Sequence, residues 1–533
     1  MFGLLPPISY WGWTRYFLPF DETTNAIIVM TLAICLGLLQ SHPDVFLPPT
    51  LPMEHKIELY SDRVVTPDGV IPALVTVYHG RIQRIARMEK KPVRPKTTTT
   101  TDDDADGKKK LVDQGETFYD FTGKVIIPGL VDLHVHLNEP GRTEWEGVQS
   151  GTRSAAVGGV TTVVDMPLNS IPSTVDVKSF EAKLKAIRKP RGRMFVDVAF
   201  WGGLVPQNAH NASILEDLLA HGVVGLKAFM SPAGTEDFDQ SSVKDIKAAA
   251  ASLSKFNAPL MVHAELPSEN DVVSTNGKDP RKYSTYMNSR PRKWEKDAIK
   301  ELIDVAKTNK IPHIHIAHVS DADTLSAIKS AKDGGAKLTA ETCPHYLYFN
   351  AESIPDGSTL HKCAPPIREE ENRQRLWDGL LKDEALDMIS SDHSPSPLDL
   401  KHVDSGDFIK AWGGISGLQL SLPLTWTKGK ERGMTLSQFA ELWSTTPARI
   451  AGLGSKGSIS TGKDADFVVF DPDGTFVVND EMNPIFHKHN KTAYDGQKLR
   501  GVIHATFLRG REIYAKDVKG VRWPAWGQVH LKK

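Results

Sequence analysis

The stretch Val131-Asp132-Leu133-His134-Val135-His136 decides the fold of this chain. It closes the apolar run Lys124-Val125-Ile126-Ile127-Pro128-Gly129-Leu130, which reads as the entry of a buried strand. Successive strand side chains alternate faces, so His134 and His136 point one way while Leu133, Val135 and Leu137 enter the packing. Two imidazoles converging on one point suit a divalent metal. Taken alone, such a pair is more often two satisfied histidines; the rest of the chain reverses that reading.

Downstream, strand-like runs alternate with helical patterns. The runs are Val160–Val164, Val196–Trp201, Gly225–Phe229, Leu260–His263, Ile314–His318 and Leu386–Ser390. This alternation marks repeated βα units around a parallel sheet, and roughly 330 residues, 126–454, suit a closed (β/α)8 TIM-type barrel. Short β-type runs precede it (55–125) and follow it (455–515), predicting a small β-sandwich domain built from both chain ends. Between them, 90–110 is a Thr/Asp/Lys-rich insertion too poor in apolar residues to fold.

Residues 1–50 form a leader whose uncharged stretch Ala26–Leu39 is too short for a transmembrane helix, which needs about 20 residues, and resembles a signal-peptide core or short anchor. Asp21 and Glu22 stand where a signal carries positive charge. The reading adopted is membrane entry through the endoplasmic reticulum or secretory pathway, with cytoplasmic location as the alternative. Asn211-Ala212-Ser213 and Asn490-Lys491-Thr492 then become glycosylation candidates. With 64 Lys+Arg against 65 Asp+Glu, no basic field would draw a nucleic acid, and three cysteines cannot frame a chain of 533 residues with disulfides.

Catalytic groups of such a barrel come from the C-terminal ends of different strands. His134, His136, His263, His318 and Asp392 end or follow a run, and Lys227 lies within one. Lys227 to His263 spans 36 residues, one βα unit, and His318 to Asp392 spans 74, two units of about 30 to 45. Four histidines and a carboxylate exceed one tetrahedral shell, so two divalent ions are inferred. An ammonium beside two cations is out of place: either Lys227 snorkels to solvent, or its neutral amine takes up carbon dioxide and becomes an anionic carbamate.

The motifs Asp132-x-His134-x-His136, Gly225-Leu226-Lys227-Ala228-Phe229-Met230, Val262-His263-Ala264-Glu265, Ala317-His318-Val319-Ser320 and Ser390-Ser391-Asp392-His393-Ser394-Pro395 resemble the cyclic-amidohydrolase branch of the amidohydrolase superfamily. Met166-Pro167-Leu168-Asn169, Glu341-Thr342-Cys343-Pro344-His345 and Ala411-Trp412-Gly413-Gly414 are similar to its allantoin-hydrolysing members, and the leader resembles plant forms more than bacterial ones. The resemblance runs from about Ile57 to Gly510 and implies a set of roles. His134, His136 and Asp392 hold one metal, His263 and His318 the other, and carboxylated Lys227 bridges. Zinc is the first choice, with Mn, Co or Fe as alternatives. A metal-bridged hydroxide would open allantoin to allantoate, with Asp392 as proton shuttle. Asn169, His345, Cys363, Trp412 and Gly413 are candidate substrate contacts, His393 a group behind the ligands, His313 and His315 structural. A homo-oligomer, a tetramer, is also implied.

Two rivals stay open. Dihydroorotase-like members carry an arginine where this chain has Asn138, and dihydropyrimidinase-like members lack Met166-Pro167-Leu168-Asn169. A metal-free scaffold protein is the non-enzymatic alternative.

Overall fold

The computed structural model describes residues 55–92, 111–113, 116–190, 192–271, 273–308, 311–518 and 520–532. The leader, including 26–39, and residues 93–110 of the insertion lie outside them.

Eight parallel strands close a barrel. In order they are Leu130–Val135, Val160–Asp165, Asp197–Phe200 continued by Gly202–Gly203, Leu226–Phe229, Leu260–His263, Ile314–Ile316, Leu338–Thr342 and Met388–Ile389. Each pairs in parallel with the next. The third changes partner midway: Phe200 faces the second strand, while Gly202 and Gly203 face the fourth. The ring closes where Val135 bridges His393 and the His136 amide donates to the His393 carbonyl (2.9 Å). Because helices cover the barrel outside, its strands are buried on both faces and read as continuous apolar runs; all six residues of Val160–Asp165 are buried. Of the covering helices, Arg292–Thr308 buries Ala298, Ile299, Leu302 and Ile303, the three-and-four spacing of one helical face.

The seventh strand is not among the runs read from the sequence. Leu338-Thr339-Ala340-Glu341-Thr342 holds only two apolar residues, yet all five are buried. It supplies the middle of the two units counted between His318 and Asp392.

Strands Lys56–Thr66, Gly69–Tyr78, Arg81–Arg87, Glu116–Asp120 and Val125–Pro128 join Phe467–Val477, Lys498–Leu508, Arg511–Ala515 and Gly520–Val521 in one sheet. The two groups meet where Phe467–Phe470 runs antiparallel to Val125–Pro128. Leu59, Val75, Ile126, Phe467, Val469 and Phe507 fill the sandwich core. Lys456, buried, ties it to the barrel through Asp466 (2.7 Å), Asp464 (3.0 Å) and Asp197 of the third strand (2.6 Å).

A last segment, without alternation in its sequence, docks beside the third strand: Val198 donates to the Gln528 carbonyl (2.9 Å) and His530 to the Val198 carbonyl (2.8 Å). Gly527 makes the approach possible, since a Cβ there would lie 2.0 Å from the Val196 carbonyl oxygen.

Candidate metal centre

His134 and His136 leave the end of the first strand on one side of the backbone, their ring centroids 5.7 Å apart. Asp392, three residues past the eighth strand, brings Oδ1 to 3.4 Å from His134 Nε2 and 3.6 Å from His136 Nε2. The three offer ligand atoms within 4.8 Å of one another. The fifth and sixth strands deliver His263 and His318, whose ring centroids are 4.5 Å apart, and the His318 centroid lies 5.2 Å from that of His134. Lys227 enters from the fourth strand, wholly buried, with Nζ 5.1 Å from the Phe229 ring centre.

Burial sets the charge of these groups. His134, His263 and His318 are all held below the ordinary histidine range, chiefly by desolvation. They are neutral at physiological pH, the form that ligates a metal. Burial would raise Asp392, but His134 and the other nearby imidazoles keep it a carboxylate. Burial lowers Lys227 to about 8 against the opposing pull of Glu341 and Asp392. Lys227 Nζ and His318 Nδ1 are buried without a hydrogen-bond partner. Orphans of this kind are rare in folded proteins and mark a group that completes the site. A pair of divalent ions fits this donor set.

The side chains behind the ligands were not foreseen. His134 donates from Nδ1 to Glu341 Oε1 (2.6 Å), whose other oxygen takes a bond from His315 Nε2 (3.2 Å). This fixes the His134 tautomer and leaves Nε2 for an ion. Glu341 sits on the strand that the sequence reading passed over; the one signal available was an ionisable residue inside a buried strand. His315, read as structural, thus reaches the site through Glu341, while the His313 ring meets Thr339 Oγ1 (2.7 Å). Asp132 receives the backbone amides of His134 (3.2 Å) and Ser391 (3.1 Å), joining the first and last strands, and burial raises it to about 7. His263 donates from Nε2 to Glu265 (2.8 Å), leaving Nδ1 toward an ion. Burial would raise Glu265, but Arg290 and His263 hold it well below the usual carboxylate range.

The ligands floor a cavity of about 400 Å³, walled by Asn169, Phe229, Tyr286, Arg290, Lys362 and Trp412-Gly413-Gly414. Asn169, Trp412 and Gly413 therefore line the cavity, and Asn169 also reaches His136 Nδ1 (3.2 Å). Cys363 and His345 do not line the cavity: both are buried behind it, Cys363 with its carbonyl bonded by Tyr286 (2.6 Å). His393 is also withdrawn, against Glu146 (3.3 Å). The loop bearing Trp412 is held by two buried lysines, Lys362 on the carbonyls of Ile409 and Ala411, Lys401 on those of Trp412 and Gly414. Asn138, Asn169, His318 and Asp392 adopt left-handed backbone conformations, with φ of 61°, 64°, 37° and 44°. Such strain persists in non-glycine residues where the surrounding fold imposes it, commonly at functional sites.

A barrel with this ligand set at its C-terminal mouth places the chain among metal-dependent hydrolases, and residues 125–513 match the Amidohydrolase family, to which the chain belongs. Curated relatives narrow the class to allantoinases. That of Arabidopsis thaliana is 45% identical over 474 residues, covering 87% of this chain and 89% of the relative. A probable allantoinase of Oryza sativa subsp. japonica is 47% identical over 477 residues, covering 88% and 89%. Among solved structures, the L-hydantoinase (dihydropyrimidinase) of Arthrobacter aurescens superposes with a TM-score of 0.76 at 27% identity, covering 89% of this chain and 99% of that one.

Proposed function

We propose that this chain hydrolyses the ring amide of allantoin to give allantoate. The observation that carries the reading is the meeting of His134, His136, His263, His318, Asp392 and unpartnered Lys227 beneath one cavity of substrate size. Two divalent ions, when bound, supply Lewis acidity and lower the pKa of water. We assign zinc to them, and carbon dioxide as the source of a carbamate on Lys227, formed with release of one proton.

The chain's own groups divide the remaining work. Asp392, a carboxylate at the cavity floor, accepts the proton of the attacking water as the carbonyl carbon–oxygen bond forms, then passes it to the ring nitrogen as the carbon–nitrogen bond breaks. Asn169 and the Trp412–Gly414 loop orient the ring. The buried wall cations are already engaged, Arg290 by Glu265 and Lys362 by two carbonyls, and the third, Lys410, is solvent-exposed beside Asp407 (3.8 Å), so neither buried cation is free for a substrate carboxylate. Asn138, where dihydroorotase-like chains place arginine, turns instead to the Pro395 carbonyl (3.4 Å). Both features favour neutral allantoin over dihydroorotate.

The test is steady-state turnover of allantoin, hydantoin, dihydrouracil and dihydroorotate side by side on metal-replete protein. Allantoin is expected to have the highest kcat/KM; faster turnover of dihydrouracil or hydantoin would reassign the substrate. Less than one metal per chain with no hydrolysis of any of the four would leave a scaffold. Entry into the endoplasmic reticulum through residues 1–50, and assembly as a homo-oligomer, complete the proposal.

A further inference from the structure

Just past the seventh strand, Cys343 and His345 stand beside Asp392, the carboxylate that also faces His134 and His136. Cys343 Sγ, a His345 ring nitrogen and an Asp392 carboxylate oxygen lie within 4.8 Å of one another, and all three residues are buried. The site is held open chemically as well as spatially. His345 Nε2 has no hydrogen-bond partner although the residue is only 1% exposed, and Cys343 Sγ has only a weak contact with Ser390 Oγ at 4.0 Å. Neither side chain lines the substrate cavity, so a role in holding substrate does not explain them.

We propose that Cys343, His345 and Asp392 form a separate, inhibitory site for a thiophilic divalent cation. Sulfur and imidazole favour soft or borderline ions such as cadmium or zinc over magnesium and calcium. Binding forms a metal–sulfur bond and releases the thiol proton to solvent, with no redox change. Asp392 is the shared member. A cation bonded to it together with Cys343 and His345 withdraws the carboxylate from the proton transfer that ring opening needs, so excess soft metal stops turnover.

The inference rests on the catalytic role proposed for Asp392, and the experiment separates the two. Protein loaded with its two ions is titrated with cadmium while metal per chain, the ultraviolet thiolate-to-cadmium charge-transfer band and allantoin turnover are followed. One further cadmium is expected to bind as the band grows and turnover falls. Cys343→Ala should abolish the band and raise the cadmium concentration for half-inhibition at least about tenfold. Cys343→Ser, retaining a hard oxygen, should behave as the alanine variant does. Cadmium inhibition undiminished in both variants, or no third ion and no band in the wild type, would overturn the site. If allantoin is not a substrate, the band and the metal count still decide it.

Discussion

Replacing Glu341 by glutamine isolates the charge behind His134. The carboxylate accepts from His134 Nδ1 at 2.6 Å, His315 Nε2 at 3.2 Å and the His318 amide at 3.3 Å, with no exposure to water. Glutamine keeps an oxygen for His134 and His318. Its NH2 can be accepted by His315 if that ring moves its proton to Nδ1, facing Thr339 Oγ1 at 2.7 Å. One N–H of the amide is thus paired and the other is left without a partner, at about 1–3 kcal/mol, so the fold should survive with a lowered Tm. What is lost is charge: a hydrogen bond to an ionised partner contributes about 1.5–3 kcal/mol against about 0.5–1.5 for a neutral pair. A loss of roughly 1.4 kcal/mol in the basicity of His134 as a ligand corresponds to about tenfold weaker metal binding, within the 10–100-fold range typical of such partners. Competition against a chelator, read as metal per chain, measures it, and kcat at saturating metal should fall less than affinity does. Wild-type metal affinity in Glu341→Gln would refute the claim that this carboxylate tunes the site.

Further outcomes can be checked in the same way. Asp392→Asn should keep the fold and most of the metal yet lose at least about 100-fold in kcat; a rate above a tenth of wild type would remove the shuttle. Lys227→Ala should lose metal and activity together, with partial rescue by a short carboxylic acid. In the wild type, activation at a fixed concentration of dissolved carbon dioxide should quicken as pH rises through about 8, because the neutral amine is the form that adds carbon dioxide; activation independent of pH and of carbon dioxide would sink the carbamate. Lys401→Met, which frees the Trp412 and Gly414 carbonyls, should raise KM about tenfold with metal content unchanged, and an unaltered KM would show that the loop stands without it. A fluorescent fusion of the whole chain should follow the endoplasmic reticulum, and deletion of residues 1–50 should leave active protein in the cytosol; an unchanged distribution would refute the targeting.

The barrel and its ligand positions were legible because a parallel strand covered on both faces must be apolar and its polar terminus stands out. His263 and Asp392 each follow such a run, so their spacing could be counted in βα units. Leu338–Thr342 escaped because Thr-x-Glu-Thr carries no periodic apolar signal, and its burial depends on neighbours contributed by other strands. Glu341 could not be paired with His134, 207 positions away, before the ring closes. The placement of Cys363 and His345 behind the cavity wall likewise depends on how the loop after the eighth strand folds back, which spacing does not encode. The final segment at Gln528–His530 was missed for the same reason: its partner, Val198, is a gap in a sheet and not a pattern in the chain.

The closing of the ring has a consequence for how the protein is made. His134 and His136 leave the ribosome about 250 residues before Asp392, and the contact that joins them, Ser391 to Asp132 across 259 positions, is among the last the barrel can form. Long-range closure of this kind is slow relative to local helix and hairpin formation. A nascent or truncated chain ending before Ser391 lacks Asp392 and so cannot complete the triad with His134 and His136, and a metal held by that triad would be captured only by a completed ring. Tight retention of that metal is thus a mark of chains that have finished folding, and release from a damaged chain should accompany opening of the seam between the first and eighth strands.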